Sequence, residues 1–254
     1  MLTVHHELTG PEDADVVVLS NSIGTDLALW DEQVPALARR FRVLRYDQRG
    51  HGGTPAKPGP YDLRDLAGDV LELLDHLEIG RAHFAGVSIG GMTGMWLAEH
   101  APDRIAALAL ICTSAELGPP RNWRDRAALV REHGTTAVVE ASLPRWFTPA
   151  LAERPDVVAK FGGMLRGCDD EGYAGCCEAI ASMDLLEELP RITAPTLVIA
   201  GRDDPATPPP HAERIASAVP GARLEVLGDA AHLANAEQPE LVNDLLLDHF
   251  TRSS

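Results

Sequence analysis

Short apolar runs rich in strand-forming residues recur along the chain at Val16–Ser20, Val43–Tyr46, His83–Val87, Ala107–Cys112, Thr196–Ala200 and Leu224–Leu227. The segments between them carry helical spacing. Leu63–Leu77 places Leu63, Leu66, Val70, Leu73, Leu74 and Leu77 on one face, and Ile89–His100 follows a strand directly. A last helix is predicted near Pro239–Phe250, with Pro239 suited to a first turn. His5 and His6 belong to a first strand ahead of these runs. Strands alternating with helices predict an α/β fold, a mainly parallel twisted sheet covered by helices on both faces.

From about Gly118 to Pro190 the strand pattern disappears. Helix-like stretches replace it at Trp123–His133, Thr136–Trp146, Pro155–Leu165 and Glu171–Met183. The expected organisation is one sheet-based core from residues 1–117 and 191–254, interrupted by a helical lid at 118–190. A length of 254 residues fits that arrangement without a second independent core. There is no internal repeat and no low-complexity tract.

Composition narrows the function. With 45% hydrophobic and 24% charged residues the chain has an ordinary globular balance. A net charge of -16 and the lack of a concentrated basic face argue against nucleic acid as partner. The same charge repels an anionic substrate at long range, so such a substrate needs local arginines inside its pocket. The first residues lack a basic segment followed by a long apolar stretch, and no window has the roughly 18 apolar residues of a membrane span. No membrane association is expected, and the cytoplasm is the expected location. Cys112, Cys168, Cys176 and Cys177 read as buried thiols rather than as a disulfide framework or a metal site.

The chemistry enters with Gly86-Val87-Ser88-Ile89-Gly90, a G-x-S-x-G motif after a strand-like run and before a helical one. That context is what a nucleophile elbow requires: a strained turn lifts the serine hydroxyl above the sheet, and flanking glycines make room. The bland alternative is a tight strand-to-helix turn whose serine only caps the helix. A serine hydroxyl is a weak nucleophile, so it needs a base, and the base needs an orienting carboxylate. Both follow the serine along the chain, carboxylate first and histidine second. Gly201-Arg202-Asp203-Asp204 ends one strand-like run, and Gly228-Asp229-Ala230-Ala231-His232 ends the next. The candidate triad is Ser88, Asp204 and His232, with Asp203 as rival acid. Asp229 reads as a turn residue, and His51, His76, His83, His211 and His249 as structural or surface groups. Candidate oxyanion donors are the N–H of Ile89, next to the nucleophile, and the N–H of Ile23 in the loop after Val16–Ser20.

Over nearly its whole length the chain resembles α/β-hydrolases, and most of all the 3-oxoadipate enol-lactonases of aromatic-compound catabolism. The segments that carry the likeness are Leu19–Asp26 with Trp30-Asp31, Leu44–Gly52, Gly59–Tyr61, Arg81–Gly91 and Ala200–Pro209. Arg49-Gly50-His51-Gly52 and the elbow mark only the superfamily. Asn21-Ser22, where most relatives have His-Gly, looks like the enol-lactonase group. The family's Gly-x-x-Asp pattern favours Asp204 over Asp203. The resemblance implies a serine-dependent hydrolase that takes a small-molecule ester or lactone bearing a free carboxylate; no metal-site, nucleotide-loop or prosthetic-group motif is visible in the sequence, so no cofactor and no metal are expected. It implies pocket groups in the lid, for which Arg121, Trp123 and Trp146 are the candidates among a cluster that also holds Arg124 and Arg145. A carboxylesterase or methylesterase on the same fold is the nearest alternative. A perhydrolase-like enzyme is a further one, and a small-molecule receptor without catalysis the most distant.

Overall fold

The computed structural model describes residues 3–253, so the outermost positions of the two expected core segments, 1, 2 and 254, lie outside the described residues. Seven strands form one sheet in the order β1-β3-β2-β4-β5-β6-β7. β1 (His6–Thr9) is an antiparallel edge on β3 (Arg42–Tyr46), and its residues alternate between half-buried and exposed. All other neighbours are parallel: β2 (Val16–Ser20) with β3 and β4 (Ala82–Val87), then β5 (Ile105–Ile111), β6 (Thr196–Gly201) and β7 (Arg223–Leu227). Every residue of β4 and β6 is buried. Continuous burial is what a central parallel strand needs when helices cover both faces.

The boundaries differ from the sequence reading for local reasons. β5 starts two residues early, at Ile105, and stops at Ile111 because Cys112 turns left-handed at φ 44°. Helix α1 (Val34–Leu37) is a single turn. α2 (Leu63–His76) starts at a reciprocal cap in which Asp62 accepts from Asp65 N–H and Asp65 accepts from Asp62 N–H. α3 (Ile89–His100) leaves the end of β4 with no intervening loop.

Between β5 and β6 the chain contains no strand. It runs through α4 (Pro120–His133), a 3₁₀ turn at Thr135–Val138, α5 (Val139–Trp146), α6 (Pro149–Ala152), α7 (Pro155–Arg166) and α8 (Asp170–Ser182). α4 begins three residues before its expected start because Pro120 fits a first helical turn, where no N–H is needed. α4 and α8 are tied by Arg131, which donates to Glu171 at 2.7 Å and Glu178 at 2.6 Å. The helical segment bonds to the sheet region through Asp169 N–H to Gly50 O and Leu233 N–H to Trp146 O, both 2.9 Å. The chain closes with α9 (Pro209–Ala218), α10 (Ala234–Glu237) and α11 (Pro239–Arg252).

All four cysteines are buried and free of disulfides, and burial raises each thiol above its ordinary pKa. Inert core thiols behave this way. Among the described residues no helix is long and apolar enough to cross a membrane.

Candidate active site

The strand order reverses direction between β2 and β4, and in open α/β sheets a crevice forms outside the strand ends at such a point. The loops leaving β2 and β4 therefore face one another. Ser88, directly after β4, has φ 57° and ψ −118°. A non-glycine residue in this region is strained by about 1–3 kcal/mol and persists only when its surroundings hold it. Three bonds do so: Ser88 N–H donates to Ile111 O at 3.0 Å, while Ser88 O accepts from Met92 N–H at 3.0 Å and Thr113 Oγ1 at 2.6 Å. The flanking glycines answer to contact as well. A Cβ on Gly86 would lie 2.3 Å from the carbonyl of Gly90, and one on Gly90 would lie 2.4 Å from Ser20 O.

Asp204 and His232 leave the ends of β6 and β7. Asp204 is buried, and His232 Nδ1 meets its Oδ2 at 2.8 Å. Thr207 completes the carboxylate's shell, its hydroxyl on Oδ2 at 2.7 Å and its N–H on Oδ1 at 3.0 Å, beside Ala206 N–H at 2.7 Å. Burial alone would raise the Asp204 pKa. The nearby His232 charge and the hydrogen bonds from His232 and Thr207 outweigh it and hold the carboxyl below its ordinary value. With Nδ1 bonded to the carboxylate, His232 keeps its Nε2 lone pair for another donor. Its hydrogen bonds run to Asp204 and Thr207, and none reaches Ser88 Oγ among the described residues. Asp203 is exposed, and its N–H donates to Ala230 O at 2.9 Å. Asp229 is exposed in a left-handed turn at φ 50°.

Ser88 and His232 line one cavity of about 440 Å³, together with Ile23. The loop that carries Ile23 is clamped from beneath. Asn21 Nδ2 donates to Tyr46 O at 2.8 Å, Gln48 Nε2 donates to Asn21 O at 2.5 Å, and Gly24 N–H donates to His51 Nε2 at 3.0 Å. His51 Nδ1 lies 3.1 Å from Arg49 O, which accepts its proton and leaves Nε2 as the acceptor for Gly24. Burial lowers the His51 pKa, which keeps the ring in that neutral state. His51 thus anchors the Ile23 loop, the structural one of the two roles expected for it. Ile89 is fully buried, and its N–H, first in α3, has no acceptor within the helix.

The helical segment supplies the far wall. Trp123 and Trp146 line the cavity, as does Arg145. Arg121 does not. Its side chain is 85% exposed and pairs with Asp125 one turn along α4, so the expectation that it faces the pocket is corrected. Helical spacing explains the error: Trp123, Ala127 and Val130 form the inward face, and position 121 falls off it. Position 126 falls near that face, and Arg126 lines the cavity. His211 lines it too. Its Nδ1 lies 2.7 Å from Ser114 Oγ, whose own proton goes to Glu116 O, so the imidazole is the donor there and Nε2 is left as an acceptor.

The profile of a family described as alpha/beta hydrolase fold matches residues 15–239. The chain is similar to 3-oxoadipate enol-lactonase 2 of Acinetobacter baylyi, at 40% identity over 95% of this chain and 91% of that protein. It is 35% identical to a protein of Stutzerimonas stutzeri provisionally named a carbamate hydrolase, over 97% of this chain and 96% of the other. The crystal structure of the enol-lactonase from Burkholderia xenovorans LB400 matches with a TM-score of 0.96 at 45% identity, covering 98% of this chain and 97% of that one.

Proposed function

The chain belongs to the α/β-hydrolase fold family, and from that premise we propose that it is a serine hydrolase which opens 3-oxoadipate enol-lactone to 3-oxoadipate. The observation that carries the reading is the convergence of Ser88 and His232 on one small cavity, with Asp204 bonded to His232 Nδ1 at 2.8 Å. The choice of lactone is supported by the similarity to two enol-lactonases, of 40% and 45% identity.

In the proposed reaction His232 Nε2 takes the Ser88 proton as Oγ attacks the ring carbonyl. Asp204 stabilises the resulting imidazolium. The carbonyl oxygen becomes an oxyanion, met by the N–H groups of Ile23 and Ile89. Collapse breaks the ring C–O bond, and His232 returns its proton to the departing enolate oxygen. An enolate is a weaker base than an alkoxide, so this step asks little of the acid, and ketone formation draws ring opening forward. Water activated by His232 then releases the acyl group from Ser88. Residues 118–190 act as the lid, shaping the cavity that receives the substrate.

The test is steady-state hydrolysis of freshly generated enol-lactone beside p-nitrophenyl acetate, a methyl ester and a carbamate. A kcat/KM for the lactone far above the other three, and lost in Ser88→Ala, supports the reading. Preference for the carbamate would favour the second reading, which the 35% identical Stutzerimonas stutzeri relative motivates. Turnover of the esters alone would make the protein a carboxylesterase.

A further inference from the structure

Arg126 is held in an unusual way for a protein of net charge -16. Its Nε donates to Tyr173 Oη at 2.8 Å and its Nη2 to Ser142 Oγ at 2.7 Å. Both partners are neutral, and no salt bridge among the described residues includes Arg126. Acidic partners are available to the same pair of helices, since Arg131, five residues along α4, takes Glu171 and Glu178 from α8. Opposite Arg126, α8 instead presents a tyrosine.

The donors and acceptors do not balance. A guanidinium has five N–H groups, and two are used here. Ser142 Oγ sends its own proton to Val138 O at 2.7 Å, so toward Arg126 it acts only as an acceptor. Tyr173 Oη also accepts from Arg126, leaving the phenolic proton to be donated elsewhere. Burial, partly offset by Arg126, raises the phenol above its ordinary pKa, so this proton stays in place. Arg126 and Tyr173 both line the cavity that holds Ser88, with the guanidinium carbon 5.6 Å from the tyrosine ring centroid. Three guanidinium N–H groups and one O–H are thus left for a ligand that only accepts. A carboxylate is such a ligand, and a guanidinium fork meets it with two parallel bonds.

We propose that Arg126 and Tyr173 form a carboxylate subsite which makes the enzyme select acyl substrates ending in a free acid over neutral ones of equal length. As a statement about the lactone's own carboxylate this rests on the lactonase reading; as a statement about the cavity it does not. Ser142 and Tyr173 position the guanidinium. Lysine in place of Arg126 keeps the charge but loses the fork.

The test uses two aryl esters of matched chain length, p-nitrophenyl hydrogen glutarate and p-nitrophenyl pentanoate, with the lactone measured in parallel. The readout is the ratio of kcat/KM for the acid to that for the neutral ester. Wild type should favour the acid by at least about tenfold, and Arg126→Met should lower the ratio by about 100-fold, as expected when one partner of a desolvated charge pair is removed. Arg126→Lys should recover part of it, and Tyr173→Phe should lower it by about tenfold, the scale of one lost hydrogen bond to a charge. A wild-type ratio near one overturns the subsite, as does an Arg126→Met variant that loses both esters equally. Failure to turn over the lactone while the acid preference persists would overturn the lactonase reading alone.

Discussion

Exchange of Asp204 for asparagine isolates the role of one carboxylate oxygen. Asp204 Oδ1 accepts from two backbone amides, of Ala206 and Thr207, which can only donate. The asparagine carbonyl must therefore take the Oδ1 place, and its NH2 group falls where Oδ2 was, against Thr207 Oγ1 and His232 Nδ1. The threonine hydroxyl rotates and becomes an acceptor. The imidazole must instead move its proton from Nδ1 to Nε2, and an Nε2–H no longer accepts the Ser88 proton. The fold keeps most of its bonds while the base is trapped in the wrong tautomer. In serine proteases the corresponding change lowers kcat by about 10⁴-fold, equivalent to about 5.4 kcal/mol in the barrier. We expect a loss on that order for Asp204→Asn, measured as kcat/KM on p-nitrophenyl acetate, with an unchanged circular dichroism spectrum. Asp203→Asn, at an exposed neighbour, should stay within about twofold, as surface changes generally do. Retention of activity within tenfold in Asp204→Asn, or an equal loss in both variants, would refute the assignment.

Three further outcomes follow from the same geometry. Gly90→Ala sets a Cβ 2.4 Å from Ser20 O, so the elbow and the end of β2 must separate; kcat/KM should fall at least about tenfold and Tm should drop, since overpacking costs about 1–3 kcal/mol, and wild-type values for both would count against the proposed contact. Glu237 accepts from Thr148 N–H at 3.0 Å and Ala231 N–H at 2.7 Å, joining the helical segment to the His232 loop; Glu237→Gln should destabilise by about 1.5–3 kcal/mol in urea unfolding, and an unchanged midpoint would show that the strap does not matter. Burial lowers the pKa of His51, His83 and His249, His83 to about 4. Each binds a proton more weakly folded than unfolded, so its contribution is full above the ordinary value of 6.5 and is lost as pH falls toward the folded value. Calorimetric Tm should decline from about pH 6.5 to 4, and a flat profile would contradict that sign.

The strands were legible because a buried parallel strand leaves an apolar run that little else produces: β4 and β6 were placed within one residue at each end. The elbow was legible because a Cβ on either flanking glycine would lie 2.3–2.4 Å from backbone atoms, which no side chain tolerates. The pocket wall was less so. Arg121 and Arg126 are alike in composition terms, and only the phase of Trp123, Ala127 and Val130 along α4 separates an exposed arginine from a lining one. Applied residue by residue, that phase was the available signal. His51 sat inside a motif that marks the superfamily, but its service to Gly24 is a contact across 27 residues. Thr207 bonds Asp204 three residues before it, but its contact with His232 and that of His211 with Ser114 span 25 and 97 residues and arise from strand order rather than spacing.

The central claim is that Ser88 carries the acyl group between two half-reactions, and rapid acid quenching tests it most directly. The enzyme is mixed with p-nitrophenyl acetate, quenched within the first turnover, digested and read by mass spectrometry. The account predicts one acetyl group on the peptide containing Ser88, formed in step with a burst of p-nitrophenol and absent in Ser88→Ala. Turnover with no adduct on that peptide, or with the acetyl group on another side chain, would contradict it.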